Sequence, residues 1–372
     1  MAALTPPFRA DHVGSLLRPP SVMEARKKFY TEKPTISAEE LKAIEDQSII
    51  DVIKLQEDIG LPVTTDGEHR RYFWHYDFMG MLDGFDMELR TTDGVQFAGT
   101  QIPPLYPTIK SKLGFPANHP MLAHFKFVAE HTKVTPKISI PGPSCCHYRT
   151  APEDIHPAEY KDPDFLFADI AATYKQAVHA FYDAGCRYLQ MDDIYFAYLC
   201  DPKQREMKKA EGSDPDELLQ RYAWMMKEAI KDRPDDMFIG MHMCRGNFRS
   251  TYAASGGYDP AAEAIFSTDV DIFFMEYDSD RSGGLEPLRL LPKGKQRVLP
   301  GFITTKTPEL EPLDEIKKKF DEASKYCDID QLGIAPQCGF SSTEHGNDVT
   351  VDDQRKKLEL VVKVAEKIWG TV

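Results

Sequence analysis

No stretch of this sequence approaches the roughly 18 uninterrupted apolar residues of a membrane-crossing helix, so no spanning segment is expected. Basic residues are in deficit: 45 Lys and Arg stand against 59 Asp and Glu, a formal net charge of -14. The averaged field of such a chain repels a phosphate backbone or an anionic lipid surface, which argues against nucleic acid and membrane as partners and leaves only local basic pockets open. Cysteines lack the dense, regular spacing of a secreted disulfide scaffold; the seven are scattered and odd in number, which points to a reducing compartment. The start, Met1-Ala-Ala-Leu-Thr-Pro-Pro-Phe-Arg9, shows no charged-then-apolar targeting pattern, so a cytoplasmic location is the expectation. Missing too are the glycine fingerprint of a dinucleotide fold and the Walker phosphate loop. What remains is an ordinary globular chain of 372 residues with 42% hydrophobic content, enough for one large core or two smaller ones.

Within that chain one stretch stands out, Gly240-Met-His242-Met-Cys244-Arg-Gly-Asn247. The run before it, Asp236-Met-Phe-Ile-Gly240, reads as a short buried strand. Strand alternation points His242 and Cys244 to one face, where a single ion could be reached by both, and nitrogen beside sulfur suits zinc better than iron or magnesium. Alone, a His-x-Cys pair is more often a core histidine beside a core cysteine. Two further apolar runs change that weighing, because Asp271-Ile-Phe-Phe-Met-Glu276 and Gln331-Leu-Gly-Ile-Ala-Pro-Gln-Cys338 end on the same kind of donor. The candidate ligands are therefore His242, Cys244, Glu276 and Cys338.

Taken in order, Phe8 to Ser15 reads as a first strand breaking on Gly14-Ser15, a turn able to offer N–H groups and a hydroxyl to a carboxylate, or simply a turn. A polar connector with several prolines follows. Ser37-Ala-Glu-Glu40 is a capping box opening a helix that Gly60 ends. Leu61 to Glu68 is the second strand. The region 69–136 holds many aromatics and no long periodic segment, and reads as an excursion that covers a site, packs as an appendage, or makes a homo-oligomer contact. Strands then recur at Lys137 to Ser144, Tyr188 to Asp193, Met237 to His242, Asp271 to Glu276, Arg297 to Thr305 and Gln331 to Cys338, mostly separated by helical patterns. Eight short strands with reactive side chains at the C-terminal end of almost every one predict an α/β fold, a single (β/α)8 TIM barrel over residues 1–372 with a long insertion between strands 2 and 3. An open doubly wound sheet would concentrate its site at one switch point.

The ordered motifs His-Val-Gly-Ser, Asp-Gly-Glu-His-Arg, Gln-Met-Asp-Asp, Met-His-Met-Cys, Phe-Met-Glu, Thr-Lys-Thr-Pro-Glu and Pro-Gln-Cys-Gly-Phe resemble the catalytic half of cobalamin-independent methionine synthase over nearly the whole chain, and its short single-domain relatives best. The resemblance implies zinc as cofactor on His242, Cys244, Glu276 and Cys338. It implies homocysteine as the methyl acceptor, with Gly14 and Ser15 at the carboxylate and Glu68 and Asp192 at the amino group. Two carboxylates facing an ammonium is sensible in a low-dielectric pocket, although pairing with Arg70 or Arg71 would give them a structural role. Glu276 would be the ligand displaced when the substrate sulfur arrives.

Coordination by zinc makes a thiol, whose pKa is ordinarily near ~8.5, a thiolate at neutral pH, and a sulfur so held can attack an alkyl carbon in line. The leaving group of a tertiary amine must be protonated. Where the family has a histidine for this, the matching segment here is Thr304-Thr305-Lys306-Thr307-Pro308, so Lys306 either donates the proton or binds an anionic part of the donor. The family's tryptophan-bearing segment after the third strand is matched by Pro143-Ser-Cys145-Cys146-His147-Tyr148-Arg149. His147 and Tyr148 become donor-side candidates there, Cys145 and Cys146 read as small buried residues, and Ser341 to Asn347 as a segment facing the pocket. The expected activity is a zinc-dependent S-methyltransferase carrying a methyl group from a methylated folate or another carrier to homocysteine, giving methionine. The alternative is a zinc-dependent thiol alkyltransferase or lyase of the kind that opens epoxides with coenzyme M. Its sulfonate-bearing thiol would want cations where Glu68 and Asp192 stand.

Overall fold

A computed structural model describes residues 5–90, 96–97, 100–101 and 105–372. Five short strands, Ile138–Pro141, Tyr188–Asp192, Phe238–Met243, Ile272–Glu276 and Arg297–Gly301, form one parallel sheet in which each pairs with the next in chain order. They are buried almost end to end, which is why they read as continuous apolar runs rather than as alternation. The helices Pro163–Asp183, Pro215–Ile230, Ala262–Phe266 and Leu313–Ala323 lie between successive strand segments, and only 3-10 turns join Glu276 to Arg297. The α/β class is as the sequence predicts.

The sheet is continued on both sides by weaker pairings. Val63–Thr64 pairs in parallel with Thr135–Pro136, just ahead of Ile138–Pro141. On the other side isolated parallel bridges link Val298 with Leu332, Ile303 with Pro336, and Ala10 with Ile334, so the first and last segments touch. Between the first segment and Val63–Thr64 there is no ladder among the described residues; an N–H of Leu16 donates to Gly67 at 3.0 Å and the Thr65 hydroxyl donates to Gly14 at 2.6 Å. No unbroken ladder therefore runs round the molecule, and the first and eighth expected strands are reduced to bridges. Two local causes are visible. Pro336 has no N–H to give, and the His12 N–H is diverted to the Asp11 carboxylate at 2.7 Å.

One apolar cluster is built from Phe8, Val13, Val63, Tyr188, Ile272, Phe274, Leu299 and Ala335, which come from six of the eight expected strand segments. A much larger cluster joins other strand residues to the surrounding helices.

Three regions depart from the sequence reading. The proline-rich connector contains the helix Pro20–Phe29, whose first residue lacks only an N–H that no helix would use. Pro202–Ala210 is another helix opened by proline, capped by Asp201. The 69–136 excursion is not devoid of regular structure. It holds the short helix Tyr76–Met79, an antiparallel pair of Asp83–Leu89 with Leu105–Gly114, and the helix Pro120–His131, whose Met121 N–H donates to the His119 ring at 3.3 Å. By contrast, the capping box at Ser37 and the left-handed Gly60 end the helix Ala38–Ile59 where expected.

Candidate metal centre and substrate cavity

His242 and Cys244 leave the end of Phe238–Met243 towards the Cys338 segment, and the ligand atoms of all three lie within 4.8 Å of one another. All three side chains are buried. The two sulfurs are 3.7 Å apart, far beyond the ~2.05 Å of a disulfide and close to the ~3.8 Å that two sulfurs at ~2.3 Å from a tetrahedral ion would have. Neither ring nitrogen of His242 has a hydrogen-bond partner of ordinary geometry, an expensive condition for a buried imidazole unless something else takes its lone pair. The trio thus fits zinc by donor type, spacing and unmet bonding. The hydrogen bond between the two sulfurs, with His242 nearby, holds Cys338 well below the usual thiol range; the same bond and burial push Cys244 up.

Glu276 does not join them. Its fully buried carboxylate is ion-paired with Arg281, and Oε2 accepts the Arg245 N–H at 2.8 Å. A buried carboxylate needs a cation, and here the nearest guanidinium supplies it.

Beside the trio is a small cavity of about 40 Å³, whose walls include Ser15, Glu68, Asp192, His242, Cys244 and Cys338. The sequence-predicted thiol side is therefore assembled around the predicted metal side. Gly14 has φ +125, and a Cβ on Gly339 would stand 1.8 Å from Ser15 Oγ, so only glycine allows the first and last segments to meet beside Cys338. Glu68 sits at φ 61, a conformation unusual for a residue other than glycine. Its Oε1 accepts from Ser139 at 2.9 Å and faces Arg71 at 3.5 Å, while Oε2 is buried with no partner. Burial, only partly offset by Arg71 and aggravated by Asp192, pushes Glu68 up to about 7. Burial likewise lifts Asp192 to about 6 against the pull of His242 and of Gln190, whose amide donates to it at 2.7 Å. The structural-bridge reading is met in part: Arg71 touches Glu68, but Arg70 turns away to Asp46.

Lys306 is half-buried, its Nζ 3.2 Å from Asn247 Oδ1 and 3.4 Å from Gly246 O, both residues of the cavity wall. The two donor-side candidates fall outside the wall. His147 Nδ1 is hydrogen-bonded to Tyr222 at 2.8 Å, and Tyr148 stacks on Tyr195 and donates to Gln204 at 2.9 Å. It is the next residue, Arg149, that lines the cavity, together with Phe73, Trp74 and His75 from the excursion and Tyr198. Sequence reading missed all of these as site residues. Of the predicted trailing segment, Ser342 and Thr343 do line the cavity, while Cys145 and Cys146 are buried free thiols away from it.

The model of the cobalamin-independent synthase catalytic domain matches residues 8–367. This chain belongs to that family. Family relatives include the Bacillus subtilis protein YxjH, described as uncharacterized, which is 44% identical over 98% of this chain and 95% of its own length. The 5-methyltetrahydropteroyltriglutamate–homocysteine methyltransferase of Bacillus licheniformis is 25% identical over 97% of this chain, which spans only 43% of that enzyme. Among solved structures, a candidate vitamin-B12 independent methionine synthase from Listeria monocytogenes is 36% identical, with 99% of both chains covered and a TM-score of 0.77. A B12-independent methionine synthase from Shewanella, in complex with selenomethionine, shares the fold at 18% identity and a TM-score of 0.70.

Proposed function

We propose that this member of the cobalamin-independent synthase family is a zinc-dependent S-methyltransferase that moves a methyl group from a carrier to the thiol of homocysteine, giving methionine, in the cytoplasm. The observation that carries the reading is the coincidence, in one cavity, of a buried His-Cys-Cys trio with two buried carboxylates. His242, Cys244 and Cys338 would hold the ion, with Glu276 a further ligand once freed from Arg281. When bound, zinc supplies ionisation of an incoming thiol at neutral pH while leaving its sulfur nucleophilic. Glu68 and Asp192 bind and orient the ammonium, because two partly protonated carboxyl groups regain their charge when a cation enters. The Gly14-Ser15 turn takes the carboxylate. Lys306, behind the wall residues Gly246 and Asn247, holds a proton or an anionic group near the leaving atom. The acidic pair favours an amino-acid thiol over a sulfonate-bearing one.

The same reading takes residues 1–372 as a single (β/α)8 barrel. In its support, parallel neighbours follow the order second to eighth segment and then first, and residues of six segments share one interior cluster. The deciding experiment is metal analysis of the purified protein followed by incubation with L-homocysteine and a panel of methyl donors. Zinc near one equivalent and methionine formed from at least one donor is the expected result; a protein that binds no zinc when supplied with it would end the proposal.

A further inference from the structure

One end of the cavity carries unmet hydrogen-bonding capacity that the thiol does not explain. Arg149 Nη1 and both ring nitrogens of His75 are buried without a partner of ordinary geometry, as are the hydroxyls of Tyr198 and of the adjacent Tyr195. Arg149, His75 and Tyr198 are wall residues. Other buried arginines leave single nitrogens unpartnered too, Arg18 and Arg71 at Nε and Arg281 at Nη1, but each is anchored by an oxygen acceptor: Arg18 by carbonyls, Arg26 and Arg281 by carboxylates, Arg71 by Ser139 O and Glu68, Arg245 by Gly256 O. For Arg149, no carboxylate ion pair exists among the described residues; the groups that face it are the phenols of Tyr76, Tyr195 and Tyr198. Its charge is felt by His75 but is not among the main influences on Glu68 or Asp192. The cation therefore stands apart from the acidic pair. A guanidinium fork, phenol hydroxyls and an imidazole are all able to donate, and such a set is complementary to an acceptor carrying negative charge.

Resting on the methyltransferase reading, we propose that Arg149, with Tyr198 and His75, is a binding subsite for an oxyanion (carboxylate or phosphate) of the co-substrate that brings the alkyl group, and not for the carboxylate of the thiol. The thiol is already accounted for at its sulfur, ammonium and carboxylate by the trio, by Glu68 and Asp192, and by Gly14-Ser15. The face of Trp74, stacked on His75 at 4.3 Å between ring centroids, offers the co-substrate an apolar wall beside its charge. The test is calorimetric titration of the full-length protein with inorganic phosphate and, separately, acetate, followed by titration with L-homocysteine. Wild-type protein should bind at least one of the two oxyanions saturably. Arg149→Gln should weaken that binding about tenfold or more, with Arg149→Lys intermediate, and homocysteine affinity should stay within about twofold. Melting curves establish that each variant is folded; if Arg149→Gln is not, Arg149→Lys and the wild-type titration decide. Absence of saturable oxyanion binding, a loss that follows Lys306→Ala instead of Arg149, or an equal loss of homocysteine binding in Arg149→Gln would overturn the assignment. Failure of the underlying reading looks different: no methionine from any donor, with Arg149-dependent oxyanion binding intact.

Discussion

The chemistry at residue scale rests on which buried groups are left wanting. Cys244→Ser and Cys338→Ser each remove one sulfur from a trio held within 4.8 Å, and each is expected to weaken zinc by more than the ~10–100-fold that loss of a mere orienting partner costs. Zinc content and methionine formation should fall together, and a metal-free Cys244→Ser that still methylates homocysteine would contradict the mechanism. Glu68 makes a separable prediction. Because burial raises its pKa from 4.5 to about 7, the folded chain holds a proton there that the unfolded chain releases. That contribution is complete below about pH 4.5 and is lost as pH rises through 7. The shift is equivalent to about 3 kcal/mol at most. Glu68→Gln should therefore keep its zinc, raise the melting temperature more at pH 8 than at pH 5, and raise KM for homocysteine about tenfold or more. In the wild type, KM should rise as pH falls below about 7, as the ammonium loses its charged partner. An unchanged KM would remove Glu68 from the thiol site. The candidate metal donors His242 and Cys244 were legible in the chain because alternation fixes the face of a His-x-Cys pair. The engagement of Glu276 by Arg281 and the Arg245 N–H was not, since nothing in an apolar run announces which cation its terminal carboxylate will meet. Arg149 was hidden similarly, behind His147 and Tyr148, which turn away from the cavity while it turns in.

Elements were readable where one physical cause dominates. Fully buried parallel strands show as apolar runs, and the helices Pro163–Asp183 and Val351–Trp369 keep their helical spacing because each lays one face on the core. Reading failed at the shorter helices opened by Pro20, Pro120 and Pro202, since the same residue also marks a connector; Pro163 and Pro215 open longer helices whose apolar spacing outweighs that signal. It failed again in the excursion, whose antiparallel pair Asp83–Leu89 with Leu105–Gly114 mixes exposed and half-buried positions and so lacks the continuous apolar signal. The last two strand segments meet at a contact that tests the scaffold of the metal centre. A Cβ on Gly301 would stand 2.4 Å from Gln337 Cα, which is backbone and cannot swing aside. Gln337 precedes Cys338. Gly301→Ala should destabilise by about 1–3 kcal/mol, the usual cost of overpacking, and weaken zinc without touching any ligand. Denaturant unfolding and a chelator competition check this; full zinc affinity would mean that Cys338 is positioned independently of Arg297–Gly301.

For the whole molecule the question is what joins the first segment to strands that lie well away from it in the order of pairing. Lys137 donates to Asp11 at 2.7 Å and to Gln190 at 2.9 Å, Tyr188 donates to Asp11 at 2.6 Å, and Gln190 donates to the Val13 carbonyl at 2.6 Å. The Asp11–Lys137 pair is fully buried. In an open sheet the first segment would be an edge, with its side chains remote from Tyr188–Asp192. Across the interior of a closed barrel they meet, and the same Gln190 that contacts Val13 and Lys137 also orients Asp192 at the cavity. In the proposed barrel the network couples closure to the proposed substrate site. Removing one member of a buried ion pair strands the other, which costs about 3–5 kcal/mol, so Asp11→Ala and Lys137→Met should each lose that much in denaturant unfolding. The double variant should recover a large part of it, because the cycle then removes both charges. Single losses below about 1 kcal/mol, or strict additivity in the double variant, would mean that the first segment is a peripheral edge and that the barrel is not closed.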